Sequence, residues 1–270
     1  MNRAQVFGAE RPVVGMVHLP ALPGAPQHAR SRDEIRARAT DDATALEAGG
    51  VDALLVENFG DAPFYPDSVP PHVVAEMTAV TAAVREAVDV PVGVNVLRND
   101  ADAALSVAAA TGGTFVRVNV HTGARLTDQG IVEGRAHETL RLRERLDCDV
   151  EILADVAVKH STALADSSLD QQVADAIERE LADGLVVSGP GTGASTDESD
   201  LTRVVAARDA VDPSVPVFVG SGVTAESVGD LLDVADGAIV GTALKRDGVT
   251  TNPVDQSRVE TLVERAASTR

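Results

Sequence analysis

The residues best suited to chemistry fall into three groups along the 270-residue chain. The first is a carboxylate and an amine, Asp155 and Lys159, four apart in the run Glu151-Ile-Leu-Ala-Asp155-Val-Ala-Val-Lys159-His160. On one parity of an extended strand both side chains point the same way. An ammonium beside a carboxylate is either an ion pair that holds a loop or an acid/base couple, and a desolvated lysine can also form a Schiff base with a carbonyl. Only Lys159 and Lys245 are lysines among the 23 basic residues, which weights Lys159 toward a chemical role. Lys245 follows in a Lys-Arg-Asp-Gly turn, where an exposed lysine needs no special explanation.

The second group is polar residues inside otherwise apolar runs. In Val116-Arg117-Val118-Asn119-Val120 the valines share one face and Arg117 and Asn119 the other. A buried arginine must meet a partner or a bound anion. The alternatives are an internal ion pair, with Glu151 or Asp155, and a ligand. Glu57-Asn58, Asn95 and the Arg98-Asn99-Asp100 triplet end neighbouring apolar runs, and His18 ends the first of them. Asp100 also suits the amino-terminal cap of the next helix.

The third group is glycine-rich: Ser188-Gly189-Pro190-Gly191-Thr192-Gly193, Gly220-Ser221-Gly222-Val223-Thr224 and Gly241-Thr242-Ala243. Backbone N–H groups in such turns bind an anion without spending a positive side chain. Ser188, Gly189, Thr192, Gly220, Ser221, Gly222, Gly241 and Thr242 are accordingly expected to cradle a phosphate rather than to make tight turns alone. No Walker, dinucleotide-binding or zincin pattern is present, and no cofactor or metal is expected, although Glu57, Asp155 and His160 could converge on a divalent ion.

These groups require elements to position them. A short apolar strand followed by an amphipathic helix recurs eight times, with strands expected at 13–19, 53–57, 91–96, 114–120, 150–156, 184–188, 215–220 and 237–241. Strand-to-helix segments such as 20–30, 58–71 and 121–131 are long, and helix-to-strand segments are short. In a (β/α)8 TIM barrel the elaborated end is the carboxyl face of the strands, where active sites are built. An α/β fold with a single barrel domain over 1–270 is therefore expected, in preference to an open doubly wound sheet. Ser31 with Glu34 and Ser168 with Gln171 match the capping-box spacing, and Gly49 and Gly112 sit where helix ends favour a left-handed residue.

Composition bounds the function. A net charge of −19 argues against a nucleic-acid backbone or an anionic membrane as partner. A lone cysteine, Cys148, excludes an internal disulfide. No membrane-spanning run or signal-peptide stretch is visible, so a cytoplasmic location is expected. The surplus of Asp and Glu with almost no Lys suits a high-salt, halophilic cytoplasm in which self-repulsion is screened. Homo-oligomerisation is a weak expectation from the habits of soluble barrels. Phe59, Phe64 and Tyr65 stand together in one loop of a chain with 2% aromatics, as a lid over ligand or a partner-binding tip.

The chain resembles the BtpA (BtpA/SgcQ) family, a group similar to ribulose-phosphate-binding barrels. The stretches that carry the resemblance are Gly15-Met-Val-His-Leu-Pro-Ala-Leu-Pro-Gly24, Val56-Glu-Asn-Phe-Gly-Asp-Ala-Pro-Phe64, Gly93-Val-Asn-Val-Leu-Arg-Asn-Asp100 and Arg117-Val-Asn-Val-His-Thr-Gly123 with Thr127-Asp-Gln-Gly130. It continues through Ala154-Asp-Val-Ala-Val-Lys-His160, Val187-Ser-Gly189, Gly220-Ser-Gly-Val-Thr224 and Lys245-Arg-Asp-Gly248. The family name refers to photosystem I biogenesis, while the barrel implies enzymes of phosphorylated-sugar metabolism. The expectation is an enzyme acting on a small phosphorylated metabolite as an isomerase, epimerase or lyase. Asn95, Arg117 and Asn119 would orient the substrate, Asp155 or Glu57 would serve as base and Lys159 as acid, electrophile or Schiff-base amine. The alternatives are a non-catalytic assembly factor and a metabolite sensor.

Overall fold

Eight short runs dominated by valine, leucine and isoleucine form parallel strands: β1 (Val13–His18), β2 (Ala53–Glu57), β3 (Val92–Asn95), β4 (Phe115–Val118), β5 (Glu151–Val156), β6 (Gly184–Val187), β7 (Val217–Val219) and β8 (Gly237–Val240). β-Branched side chains suit a pleated sheet buried on both faces. Each strand pairs with its neighbours in chain order and β8 closes on β1, giving the (β/α)8 TIM barrel. The computed structural model describes residues 1–156, 161–165, 167–189 and 198–268.

Alternation divides each strand between two packing layers. Outward residues such as Val13, Val17, Leu54, Val56, Val94, Val116, Val118 and Val187 join the large core beneath the helices. The inward set Val14, Met16, Ala53, Leu55, Phe115, Leu153, Val186, Phe218 and Ile239 fills the barrel. Phe7, on a short amino-terminal helix (Arg3–Phe7), plugs the base, with its ring 5.1 Å from Phe115 and 5.4 Å from Phe218 in edge-to-face geometry. Two glycines make room for these rings: a Cβ on Gly93 would lie 2.3 Å from Phe115, and one on Gly237 would lie 2.6 Å from Phe218.

The helices α1 (Arg32–Ala48), α2 (Pro71–Ala87) and α3 (Ala101–Thr111) lead a ring of crossovers around the strands. Ser31 and Glu34 form the full capping box, whereas at Ser168 the hydroxyl accepts from the Gln171 amide while the Gln171 side chain turns to Asp175. Asp100 caps α3 and accepts from the Val69 amide as well. Gly112 is left-handed as expected. At the end of α1 the left-handed residue is Gly50 (φ +93°) rather than Gly49 (φ −78°), because the last helical turn runs one residue further.

Two features depart from the simple alternation. The segment after β4 folds into an antiparallel hairpin, Ala124–Thr127 with Gly130–Glu133, and Thr162–Ala163 from beyond β5 adds a third strand to it. The strand ladders are also shorter than expected, so Asn119, Ser188, Gly220 and Gly241 lie just past the last paired residues. There the backbone is free to turn over the barrel mouth.

Candidate active site

The deepest polar layer is built by β4, β5 and β6. Arg117 faces inward because its flanking valines face the helices. Its Nε donates to Asp155 Oδ1 at 2.7 Å and its Nη2 to Asp155 Oδ2 at 2.8 Å, a bidentate pair. Nη2 also donates to Ser188 Oγ at 3.0 Å, and Asn119 Nδ2 donates to Asp155 Oδ2 at 3.2 Å. The Ser188 hydroxyl lies 3.2 Å from Asp155 Oδ2 and 2.9 Å from the Gly220 carbonyl, so its single proton serves one of them at a time. Burial disfavours the charge on Arg117, but Asp155 more than offsets it and the guanidinium is held above its ordinary range. Of the two partners open in the sequence, Arg117 thus meets Asp155. Glu151 sits at the opposite end of β5 beside Asp183, where burial first and that neighbouring carboxylate second push it up to about 7.

Higher in the mouth, β2 and β3 contribute Glu57 and Asn95, which are paired residue to residue across the ladder. Asn95 Nδ2 donates to Glu57 Oε2 at 3.1 Å, and His18 Nε2 lies 3.8 Å from Glu57 Oε1. The His18 ring stacks obliquely on Phe59, 4.9 Å between centroids. Gly241 is required here, since a Cβ would come within 2.7 Å of the His18 ring. The Oδ1 atom of Asn119 is buried and finds no hydrogen-bond partner among the described residues, an acceptor left available at the mouth.

The β7 and β8 exits complete the site. Gly220 passes so close to β8 that a Cβ would sit 2.4 Å from the Ile239 carbonyl oxygen, and Gly222 adopts a left-handed φ of +78°. Among the described residues, the backbone N–H groups of Gly222, Thr242 and Ala243 donate to no protein acceptor. These amides border a cavity of about 460 Å³ whose wall also includes Met16, His18, Glu57, Arg117, Ser221 and Thr224. One continuous space therefore joins the polar layer to the glycine turns. Gly189 follows Ser188 and is buried, with the Ser188 hydroxyl committed to the Arg117–Asp155 cluster. Lys159, His160, Thr192 and the glycines beside Thr192 lie outside the described residues.

One position differs from expectation. Lys245 is fully enclosed rather than exposed: its Nζ donates to the Met16 carbonyl at 3.1 Å and to Asp42 Oδ2 at 3.3 Å, on the helix side of β1. The turn that contains it folds back onto Val254, which carries the side chain beneath α1 instead of out to water. Arg98 is buried at the rim of the mouth, 4% exposed, where the triplet with Asn99 and Asp100 reads equally well as a plain loop. Asn99 and Asp100 do serve the loop, since Asn99 brackets the Val120 backbone and Asp100 caps α3. The hairpin after β4 was signalled by Asp128-Gln129-Gly130 between Leu126 and Ile131, and Gly130 supplies the positive φ of its turn.

A closed parallel barrel whose inward-facing charges Glu57, Arg117 and Asp155 gather toward the carboxyl ends of the strands is a TIM barrel. Solved structures share this fold: tryptophan synthase from Mycobacterium tuberculosis superposes with a TM-score of 0.61 at 19% identity, covering 99% of this chain and 98% of that one. N-(5'-phosphoribosyl)anthranilate isomerase from Pyrococcus furiosus gives a TM-score of 0.57 at 15% identity over 96% and 99% of the two chains. The sequence goes further than the fold, and the chain belongs to the BtpA family, whose model matches residues 9–268. It is 45% identical to the photosystem I biogenesis protein BtpA of Synechocystis over 99% of this chain and 92% of that protein. It is 34% identical to SgcQ of Escherichia coli K12 over 97% and 96%. Among the described residues no helix is long and apolar enough to cross a membrane.

Proposed function

We propose that this protein is an enzyme acting on a small phosphorylated metabolite, a sugar phosphate or a derivative of one, by carbonyl polarisation and acid/base chemistry of the isomerase, epimerase or lyase type. The observation that carries the reading is the cavity that runs from Glu57 and Arg117 to the amides of Gly222, Thr242 and Ala243, which donate to no acceptor among the described residues. Those amides suit a phosphate in a chain of net charge −19, because they neutralise an anion with dipoles instead of cations. Phosphate-named enzymes such as the phosphoribosylanthranilate isomerase share the barrel, which is consistent with this use of the mouth.

The polar layer divides the chemical work. Asp155 already accepts twice from Arg117 and once from Asn119, so it positions the guanidinium and is poorly placed to collect a proton. Glu57 borders the cavity directly and is the better base, oriented by Asn95 and near His18. Arg117 would polarise a substrate carbonyl, and the Asn119 Oδ1 would accept from a substrate hydroxyl. The segment from Phe59 to Pro71 would shield the bound substrate from water.

The test is a thermal-shift titration in molar KCl with inorganic phosphate and ribose 5-phosphate, on the wild type and on Thr242→Glu. A ligand at one hundred times its Kd stabilises the native state by about 2.7 kcal/mol. Thr242→Glu places a carboxylate among the amides and should abolish the response. It is a cleaner change than any substitution at Gly222, whose φ of +78° would strain a side chain. A folded wild type that responds to neither compound overturns the proposal. The second reading, a non-catalytic assembly factor like the biogenesis role in the relative's name, is favoured by one observation. Leu126, Ile131 and Leu164 stand half exposed on or beside the small antiparallel sheet, a surface that a partner could cover.

A further inference from the structure

The three-stranded sheet of Ala124–Thr127, Gly130–Glu133 and Thr162–Ala163 is patterned against its surroundings. A sheet with one face on a core and one in water alternates apolar-in with polar-out. Here the inner face, where Val132 packs on Val120, also holds Arg125 and Thr127. Both are committed to local hydrogen bonds, Arg125 Nε donating to Ser161 Oγ at 2.6 Å and the Thr127 hydroxyl to the Gly130 carbonyl at 3.1 Å. The outer face carries Leu126 and Ile131, direct partners in the ladder, and Leu164, two residues beyond the Thr162 that pairs with Leu126. Leu126, Ile131 and Leu164 are 50%, 59% and 50% exposed. Of the seven large apolar side chains that stand exposed among the described residues, three therefore fall on this one small face, which marks it as a face to be covered.

The charge around the sheet singles out what covers it. Residues 121–148, which span the hairpin and the helix Ala136–Arg145, hold five arginines and five acidic side chains, and residues 161–165 hold no charge. This part of the chain is neutral, so the whole net charge of −19 lies elsewhere. Two copies of the chain repel one another over most of their surface and approach at least cost here. Because both signs are interleaved along the neutral stretch, a two-fold axis brings arginines of one copy toward carboxylates of the other. A basic partner would be drawn to the acidic surface instead, and an acidic one gains nothing from a neutral face.

We propose that this face is the interface of a homodimer: the three-stranded sheets of two copies pack face to face about a two-fold axis, and Leu126, Ile131 and Leu164 of each copy are buried against the other. Facing sheets pack about 10 Å apart, a spacing that interdigitating leucine and isoleucine side chains fill. The hairpin tip, Asp128, borders the cavity beneath the loop after β2, so the interface also steadies one wall of the barrel mouth. The inference is independent of the phosphate site, and it assigns to a second copy the face on which a non-catalytic partner would otherwise dock.

Sedimentation equilibrium in molar KCl at micromolar protein tests it, with far-ultraviolet circular dichroism to confirm that each variant is folded. The wild type should run at twice the chain mass. Leu126→Glu and Ile131→Glu place a carboxylate where the isolated chain already meets water, and each should weaken association by roughly thirtyfold or more, the mark of a central interface residue. Val249→Glu is the control, since Val249 is comparably exposed but follows β8, across the barrel from β4, and the dimer should survive it. Raising KCl screens the repulsion between the two acidic copies, so the wild-type dimer should tighten with salt. The wild-type mass and its salt trend decide the matter even where a variant fails to fold. A monomeric wild type overturns the proposal and leaves the face to a different partner. A dimer that survives both Leu126→Glu and Ile131→Glu, or that loosens as KCl rises, overturns the assigned interface.

Discussion

Lys245 offers a sharp test of the energetics, because its charge sits where water cannot reach it. Its Nζ is bonded to the Met16 carbonyl and to Asp42, which also accepts from the Val254 amide at 2.7 Å and lies 3.1 Å from Arg38 Nε. Burial drives the ammonium from 10.5 down to about 8, a fall that Asp42 only partly offsets. In the unfolded chain the lysine keeps its ordinary value. Between about 8 and 10.5 the unfolded state therefore binds more protons than the folded one, and stability must rise with pH. At about 1.4 kcal/mol per decade, the gain between pH 7 and pH 10.5 is about 3 kcal/mol. Asp42 keeps Arg38 and the Val254 amide after the lysine loses its proton, so deprotonation does not strand it. The assay is urea unfolding followed by far-ultraviolet circular dichroism, since the chain has no tryptophan to report by fluorescence. Wild type and Lys245→Met are compared at each pH in molar KCl, which cancels the other groups that titrate in this window. The wild type should gain about 3 kcal/mol on the variant across the range. A difference that stays flat, or that moves against the wild type, would refute the argument.

Other consequences follow from the same packing. Asp155→Ala strands the Arg117 charge and should cost about 3–5 kcal/mol in urea unfolding, whereas the paired change Arg117→Met with Asp155→Leu should recover most of that loss. Gly93→Ala drives a methyl into the Phe115 ring and should cost about 1–3 kcal/mol, relieved when Phe115→Leu is added, as a double-mutant cycle would show. If the acidic surface is adapted to high salt, the melting midpoint should climb steadily from dilute buffer to molar KCl, and full stability without salt would count against that adaptation.

How far the sequence reaches is visible in the Arg117 pair. Strand parity alone turns Arg117 inward and turns Glu151 and Asp155 toward the same interior. It cannot choose between them, because the register sets Arg117 opposite Leu153, with Glu151 two residues before and Asp155 two residues after. The choice is made by layers that only the closed barrel creates. Below Arg117 the space is filled by Phe115, Leu153 and the Phe7 plug, and above it stand Asn119 and Ser188, whose hydrogen bonds complete the pair. The hairpin after β4 escaped for a different reason: its strands are four residues long and its third strand comes from beyond β5, so its stability is non-local. Scarcity of lysine taught a related lesson. Lys245, one of the two lysines of the chain, serves as a clamp between α1 and β1 rather than in catalysis. Rarity alone does not separate a structural role from a chemical one; the partners of the buried amine, here a carbonyl and a carboxylate instead of an open cavity, do.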